Sequence, residues 1–356
     1  MPPMWKPCQP IDVTRRDRFR PSRCPWKECP DHRTGRRFRC IRKGFALRAR
    51  GPRRRVQRFQ CLRCRRTFCQ DAFATTYRLK RPELLIPIAS LLVSGAAHRQ
   101  IARHLGCAPS TVTRLSVRLG RHAERLQALM LEALTPIDEP VVLDHFETFV
   151  RSQHERLGIA TAVGQRSWFV YALNGAAYLR LRGRSRSKRA VRKIKPVSRR
   201  GVVRSTHELI VRLLRAGRGE LRLVSDDHPA YRSAVRRVRA PDRIEHRVFA
   251  NPDRGNEAGR AVARTRDREM FAVDLLHKII RHSQAHHRRE TIAFGRKRAS
   301  VLGRAAILAV WRNMIKRVSE RRPAEKTPAM RLGLTDRVWS WRDLLAKRIF
   351  VADLLH

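Results

Sequence analysis

Two aspartates stand out in a chain that is short of acids. Asp144 lies inside the apolar run PVVLDHFETFV, and Asp226 closes the run LRLVSD. A carboxylate in such surroundings is costly unless it is paired or bound to a metal. Two of them at the ends of neighbouring strands would repel each other, and divalent cations relieve that repulsion. Oxygen ligands with open positions suit magnesium, which keeps several waters and binds substrate phosphate. Two such ions, roughly 3.5–4 Å apart, can activate an attacking oxygen and stabilise the leaving one in phosphodiester displacement. The scheme needs a third acid, and the helical last third offers Asp253, Glu257, Asp267, Glu269, Asp274 and Glu290. Glu290 has the most basic flanks, with Arg288, Arg289, Arg296 and Lys297 close by, which suits a carboxylate working beside DNA phosphates. The bland alternatives are an Arg partner for Asp144, metal binding by Glu147 instead, and a surface pair of Glu290 with Arg288 or Arg289.

Asp227, next to Asp226, is expected to do something else. It stands with His228 and Pro229 where a helix begins, and a carboxylate there accepts free backbone N–H groups. The histidines of HSQAHH (282–287) raise a metal-and-tyrosine nickase as a rival. The nearest candidate nucleophile, Tyr231, shares its spacing with Ala234, Val235 and Val238 and so faces the core.

The second constellation is made of cysteines. Cys24 and Cys29 form one close pair and Cys61 and Cys64 another, joined by a long basic excursion. Each pair can fold into a knuckle, and four thiolates can hold one tetrahedral zinc. Four protein ligands leave no open position, so such a site is structural. It supplies folding energy to a segment poor in apolar residues. Cys40 and Cys69 are alternative ligands.

A third pattern is SGAAHRQIARHLGCAPSTVTRLSVRLGRH (94–122), which has the layout of a helix-turn-helix. Ile101, Ala102 and Leu105 line a first helix, Gly106 permits the turn, and Val112, Leu115 and Leu119 line a second. Ser110, Thr111, Thr113 and Arg114 then face outward, and such residues reach base edges and phosphates in a major groove.

The rest of the chain must position these groups. Lys and Arg number 80 against 30 Asp and Glu, a net charge of +50. That surplus favours a polyanion, because each neutralised phosphate releases counterions. The chain opens on a polar, Pro-rich stretch, and its longest mostly apolar run, LLIPIASLLVSGAA, is too short to span a bilayer. A cytoplasmic, nucleoid-associated protein with no membrane partner is expected, and in that compartment paired cysteines suggest metal. Residues 1–20 read as a basic lead-in, 21–78 as the zinc module and 79–135 as the helical domain. Strand-like runs fill 139 to about 250, broken by the helical THELIVRLLRAG and by a strongly basic insert at 180–200 that could lie along phosphates. Helical periodicity resumes beyond 268, with ASVLGRAAILAVWRNMIKR apolar enough to be largely buried. The order strands, helix, strand, helix, strand, helices predicts an α/β core with a mixed sheet spanning 136–320, followed by a tail at 321–356.

These parts together resemble a known family. The cysteine pairs, the helix-turn-helix and a core carrying LDHFETF, SDDHPAY and HHRRETIAFGR look like prokaryotic insertion-sequence transposases of the DDE type. The resemblance covers roughly residues 21 to 318. It implies a ribonuclease H-like catalytic core in which Asp144, Asp226 and Glu290 hold two magnesium ions, manganese being an alternative. AVWRNMIKR resembles the family's aromatic-and-Asn helix, so Trp311 and Asn313 are expected to support the site. The implied activity is cleavage at the ends of an inserted element and transfer of the freed 3′ hydroxyls to target DNA, without a covalent protein intermediate. A homodimer or larger assembly on double-stranded DNA is implied, since two ends must be cut and joined. The alternative is a non-enzymatic DNA-binding regulator with a decayed core. The high Arg content and the basic insert depart from the family pattern and leave the subfamily open.

Overall fold

The structure, a computed structural model, describes residues 19–34, 38–48, 54–134, 136–175, 199–217, 219–251, 255–322 and 324–349. Most of the basic insert 180–200 and most of the lead-in lie outside the described residues. The described residues divide into two compact units, one within 19–86 with 339–349 and the other within 87–338.

In the smaller unit a short helix α1 (Pro30–Thr34) precedes three antiparallel strands: β1 (Cys40–Arg48), β2 (Arg54–Cys61) and β3 (Thr67–Cys69). Its core is small. Phe59, Phe68 and Phe73 are buried with Cys24, Cys29 and Cys61, and the rings of Phe59 and Phe68 stack 5.7 Å apart. So little apolar material gives a sheet of this size little stability by itself, and an additional cross-link is expected.

The larger unit, which starts within α2 (Leu85–Val93), goes on to α3 (His98–His104) and α4 (Pro109–Ala133). It continues through β4 (Val141–Val150), β5 (Ser152–Gly164), β6 (Val170–Gly175), α5 (Arg199–Ala216), β7 (Leu221–Asp226), α6 (Pro229–Arg236) and β8 (Ile244–Phe249). Helices α7 (Glu257–Glu269), α8 (Phe271–Ser283) and α9 (Arg298–Met314) follow. Among the described residues the strands form one sheet in the order β6-β5-β4-β7-β8. β4, β5 and β6 pair antiparallel, while β4–β7 and β7–β8 pair parallel. The sheet is mixed, as the order of apolar runs predicts. A parallel neighbour needs a crossover, and α5 and α6 provide the crossovers into β7 and β8.

β4 is central, and Val141, Val142, Leu143 and Phe146 are all buried. Such a run on successive residues means both faces are covered. Leu143 pairs with Ser225, so the residues that follow, Asp144 and Asp226, come level on adjacent strands.

Helix α4 packs along α9. The two backbones meet at glycines: a Cβ on Gly120 would lie 2.8 Å from Gly303 Cα. Helix α9 is buried over most of its length, as its composition predicts. Buried Glu139 ties down the turn between β5 and β6. It accepts the backbone N–H groups of Arg166 and Ser167, both at 2.8 Å, and the hydroxyls of Ser167 and of Tyr171. Gly164 packs against this carboxylate so closely that a Cβ would fall 2.0 Å from Glu139 Oε1. Among the described residues no helix is long and apolar enough to cross a membrane.

Candidate functional site

The four cysteines predicted as a set do converge. The Sγ atoms of Cys24, Cys29, Cys61 and Cys64 all lie within 4.8 Å of one another. Cys24 and Cys64 Sγ are 3.7 Å apart, and Cys29 and Cys61 Sγ are 3.9 Å apart. Ligands at the usual zinc–sulfur distance on the corners of a tetrahedron are about 3.8 Å apart, so the cluster has the dimensions of a four-thiolate site. Backbone turns set it up: Cys29 N–H donates to Trp26 O at 3.1 Å, and Arg65 N–H donates to Cys61 O at 3.0 Å. Arg65 has φ of 60°, a left-handed residue that closes the second knuckle. Burial raises the Cys24 thiol above its usual range and pushes Cys29 up to about 11. Without a cation these groups stay protonated, and a bound dication stabilises the thiolates instead. Cys40 pairs with Cys61 across β1 and β2 but is not in the cluster, and neither is Cys69.

Asp144 and Asp226 belong to the sheet of the larger unit, apart from the cysteine cluster. Asp144 Oδ1 accepts the N–H of His145 at 2.7 Å and the hydroxyl of Tyr231 at 3.0 Å. Its Oδ2 lies 3.5 Å from His277 Nδ1. Asp226 Oδ1 accepts the backbone N–H of His228 at 3.0 Å. Helix α8 packs on β4 and β5, and carries both His277 and Asp274. Asp274 is held by a forked contact from the Arg266 guanidinium. Burial pushes the Asp144 carboxyl up to about 6; the two hydrogen bonds oppose this and the charge of Asp274 adds to it. Asp226 is also raised, by burial and by the charge of Asp144, against the pull of the His228 N–H. Half-buried acids close to further negative charge are the arrangement a divalent cation relieves. Burial lowers His145 to about 3 and His277 to about 4, so both rings are neutral donor–acceptor groups.

No protein-family model matches the chain, and no curated protein does. Its site must be read from its own residues.

Glu290 is exposed, on a bend just after a buried 3-10 turn at Ala285–His287. The acid of the helical third whose charge acts on Asp144 is Asp274. Among the described residues, the four cysteines alone bring three or more His, Cys, Asp or Glu ligands within reach of one ion; Asp144 and Asp226 do so neither with Glu290 nor with Asp274. A sequence signal for Asp274 existed. It lies beside the buried stripe Val273, Leu276 and Ile280, with His277 one turn on, whereas Glu290 follows two exposed arginines outside any helix. Tyr231 is core-facing as predicted, and its hydroxyl still reaches Asp144. Tyr231, Thr161, His277 and Arg266 were not singled out as site residues, because their roles depend on long-range contacts.

Two expectations need correction. Asp227 is exposed, and the start of α6 is capped by the His228 side chain, which accepts from Ala230 N–H at 3.2 Å. Pro229 at the first helical position fixes His228 at the cap, one residue later than expected. Asn313 is fully buried but lies against β6, where its side chain accepts from Val170 N–H at 2.8 Å and donates to Val170 O at 2.9 Å. It extends the sheet's hydrogen bonding and touches no carboxylate; Trp311 is half-buried, with Lys316 over its ring.

Helices α3 and α4 are separated by a short turn in which Gly106 has φ of 57°. Ser110, Thr113 and Arg114 are exposed and Thr111 is half-buried. Thr113 Oγ1 is also 3.0 Å from His98 Nδ1, which links the two helices. Arg288, Arg289, Arg296 and Lys297 are exposed.

Proposed function

We propose that this protein is a metal-dependent DNA transposase with a ribonuclease H-like core. The observation that carries the reading is the placement of Asp144 and Asp226 level on adjacent parallel strands, with Asp274 supplied by a helix packed on the same sheet. The strand order, three antiparallel strands followed by two parallel ones, supports that core. We assign the three acids as Asp144, Asp226 and Asp274, with Glu290 no longer the third.

When bound, magnesium or manganese ions would neutralise charge that develops on a scissile phosphate and activate an attacking oxygen. Asp144 and Asp226 would hold them. Asp274 would join by exchanging its contact with Arg266, which stands close enough to balance the acid's charge until then. His145 fixes the local geometry from behind: its Nε2 is 2.9 Å from Ser205 Oγ and its Nδ1 is 3.2 Å from the Tyr231 hydroxyl that holds Asp144. The exposed cations Arg288, Arg289, Arg296 and Lys297 would neutralise DNA phosphates, and Ser110, Thr111, Thr113 and Arg114 would contact DNA ends. We assign zinc to the four cysteines as a structural ion. Double-stranded DNA is the partner, and a dimer or larger assembly would bring two ends together.

The test is cleavage of a duplex carrying the DNA that borders the gene, with magnesium or manganese present. Nicking that disappears in Asp226→Asn and Asp274→Asn, with DNA binding retained, is the expected result. Nicking that survives either substitution would sink the assignment, and binding with no nicking under any metal would favour the regulator.

A further inference from the structure

Asp144 Oδ1 already accepts two hydrogen bonds, from His145 N–H and from the Tyr231 hydroxyl. That leaves Oδ2 as the atom open to another partner, and His277 Nδ1 faces it at 3.5 Å. The protonation of that ring is set from its far side. Thr161 Oγ1 lies 2.9 Å from the main-chain carbonyl oxygen of Asp144, which can only accept, so the one hydroxyl proton is committed there. The same oxygen lies 2.9 Å from His277 Nε2, and with its proton committed it can only accept. Nε2 therefore carries the ring hydrogen. A neutral ring with its hydrogen on Nε2 presents a bare Nδ1 lone pair to a carboxylate oxygen.

Two acceptors that face each other repel unless something positive lies between them. At 3.5 Å the pair is too far apart for an ordinary hydrogen bond. A metal ion fits better: two ligands about 2.1 Å from one ion can be up to about 4.2 Å apart. A histidine whose far nitrogen is fixed by a hydroxyl or carbonyl is also the usual arrangement of a metal-binding imidazole.

We propose that His277 Nδ1 and Asp144 Oδ2 ligate one divalent cation together, with Thr161 as the positioning residue that fixes the ring tautomer. The proposal rests on the metal-binding reading of the carboxylate site and goes further, because it names a nitrogen ligand. Purely oxygen sites suit magnesium, whereas imidazole suits transition-metal ions. This position should therefore take manganese in preference to magnesium.

The test uses the full-length, zinc-loaded protein with manganese as a paramagnetic probe. Pulsed electron paramagnetic resonance should detect a nitrogen-14 coupling on the bound ion, absent in His277→Gln. Thr161→Val keeps the shape of the site but frees the ring to turn its proton toward Asp144. It should lose the coupling as well and weaken manganese binding by on the order of tenfold, with a smaller effect on magnesium. If His277→Gln fails to fold, Thr161→Val carries the test. Manganese that binds in an Asp144-dependent way without nitrogen coupling, or with coupling unchanged in both variants, would overturn the shared-ligand proposal alone. Manganese binding indifferent to Asp144→Asn would overturn the metal-site reading and this proposal with it.

Discussion

Replacing Asp144 by Asn should stabilise the metal-free protein while abolishing the proposed metal-dependent nicking. Burial lifts the Asp144 carboxyl from 3.8 to about 6 in the folded protein. Because the native state holds this proton more tightly than the unfolded chain, its stabilising effect is complete below about pH 4. That effect is lost as pH rises through about 6 and does not return above it. About two pK units at about 1.4 kcal/mol each give an upper bound near 3 kcal/mol. With the side chain 20 % exposed, solvent screening brings the expectation to about 2 kcal/mol. Asn keeps an oxygen to accept from His145 N–H and the Tyr231 hydroxyl, and turns an N–H toward His277 Nδ1, so no contact is forfeited. The assay is urea unfolding of both proteins at pH 4 and pH 8, with zinc retained and magnesium and manganese excluded. Asp144→Asn should be the more stable protein at pH 8, with the gap closing toward pH 4, and added manganese should stabilise only the wild type. An Asn variant that is equally or less stable at pH 8 refutes the claim that this carboxylate is held at a cost.

Other substitutions test other parts. Removing zinc, or Cys61→Ser, should unfold the β1–β3 sheet, seen as lost near-ultraviolet dichroism, and abolish binding to end-containing DNA; unchanged spectra would remove the structural role of the cluster. Gly164→Ala should destabilise by on the order of 2–4 kcal/mol, because its Cβ must displace a buried carboxylate that accepts several hydrogen bonds. A thermal melt within a degree of the wild type would show that the turn gives way easily. Gly120→Val should cost about 1–3 kcal/mol by forcing α4 away from α9, read in the same melt. Asp227→Asn should leave nicking unchanged where Asp226→Asn removes it; the reverse would exchange their roles.

Much of the fold was legible because burial leaves a pattern that one stretch of chain carries by itself. The continuous apolar run at Val141–Leu143 marks a strand covered on both faces, and the turns between apolar runs fix their order. The cysteine site was readable for a similar reason: two close pairs can meet with little help from the rest of the chain. The third acid was harder. The expectation of Glu290 rests on its basic neighbours and on the motif resemblance, and neither records which helix packs on β4. That choice is made by Val273, Leu276 and Ile280, whose burial brings Asp274 and His277 to the sheet.

The details that control chemistry at the site lie below anything a spacing pattern records. Asp226 and Asp227 differ by one residue and share the same basic surroundings. One accepts an N–H at a strand end and feels the charge of Asp144, while the other is exposed and makes way for His228 as the helix cap. The same holds for His277. Its tautomer depends on a threonine 116 positions away in the chain, whose single proton is already bound to a carbonyl oxygen. Ser205 also bears on a buried histidine: its hydroxyl donates to Val202 O at 3.0 Å and lies 2.9 Å from His145 Nε2. At His277 a hydroxyl on a neighbouring element decides which ring nitrogen carries the proton. Substituting either hydroxyl should therefore alter the site's metal and proton preferences without moving the carboxylates, a separation that substitutions of the acids themselves cannot achieve.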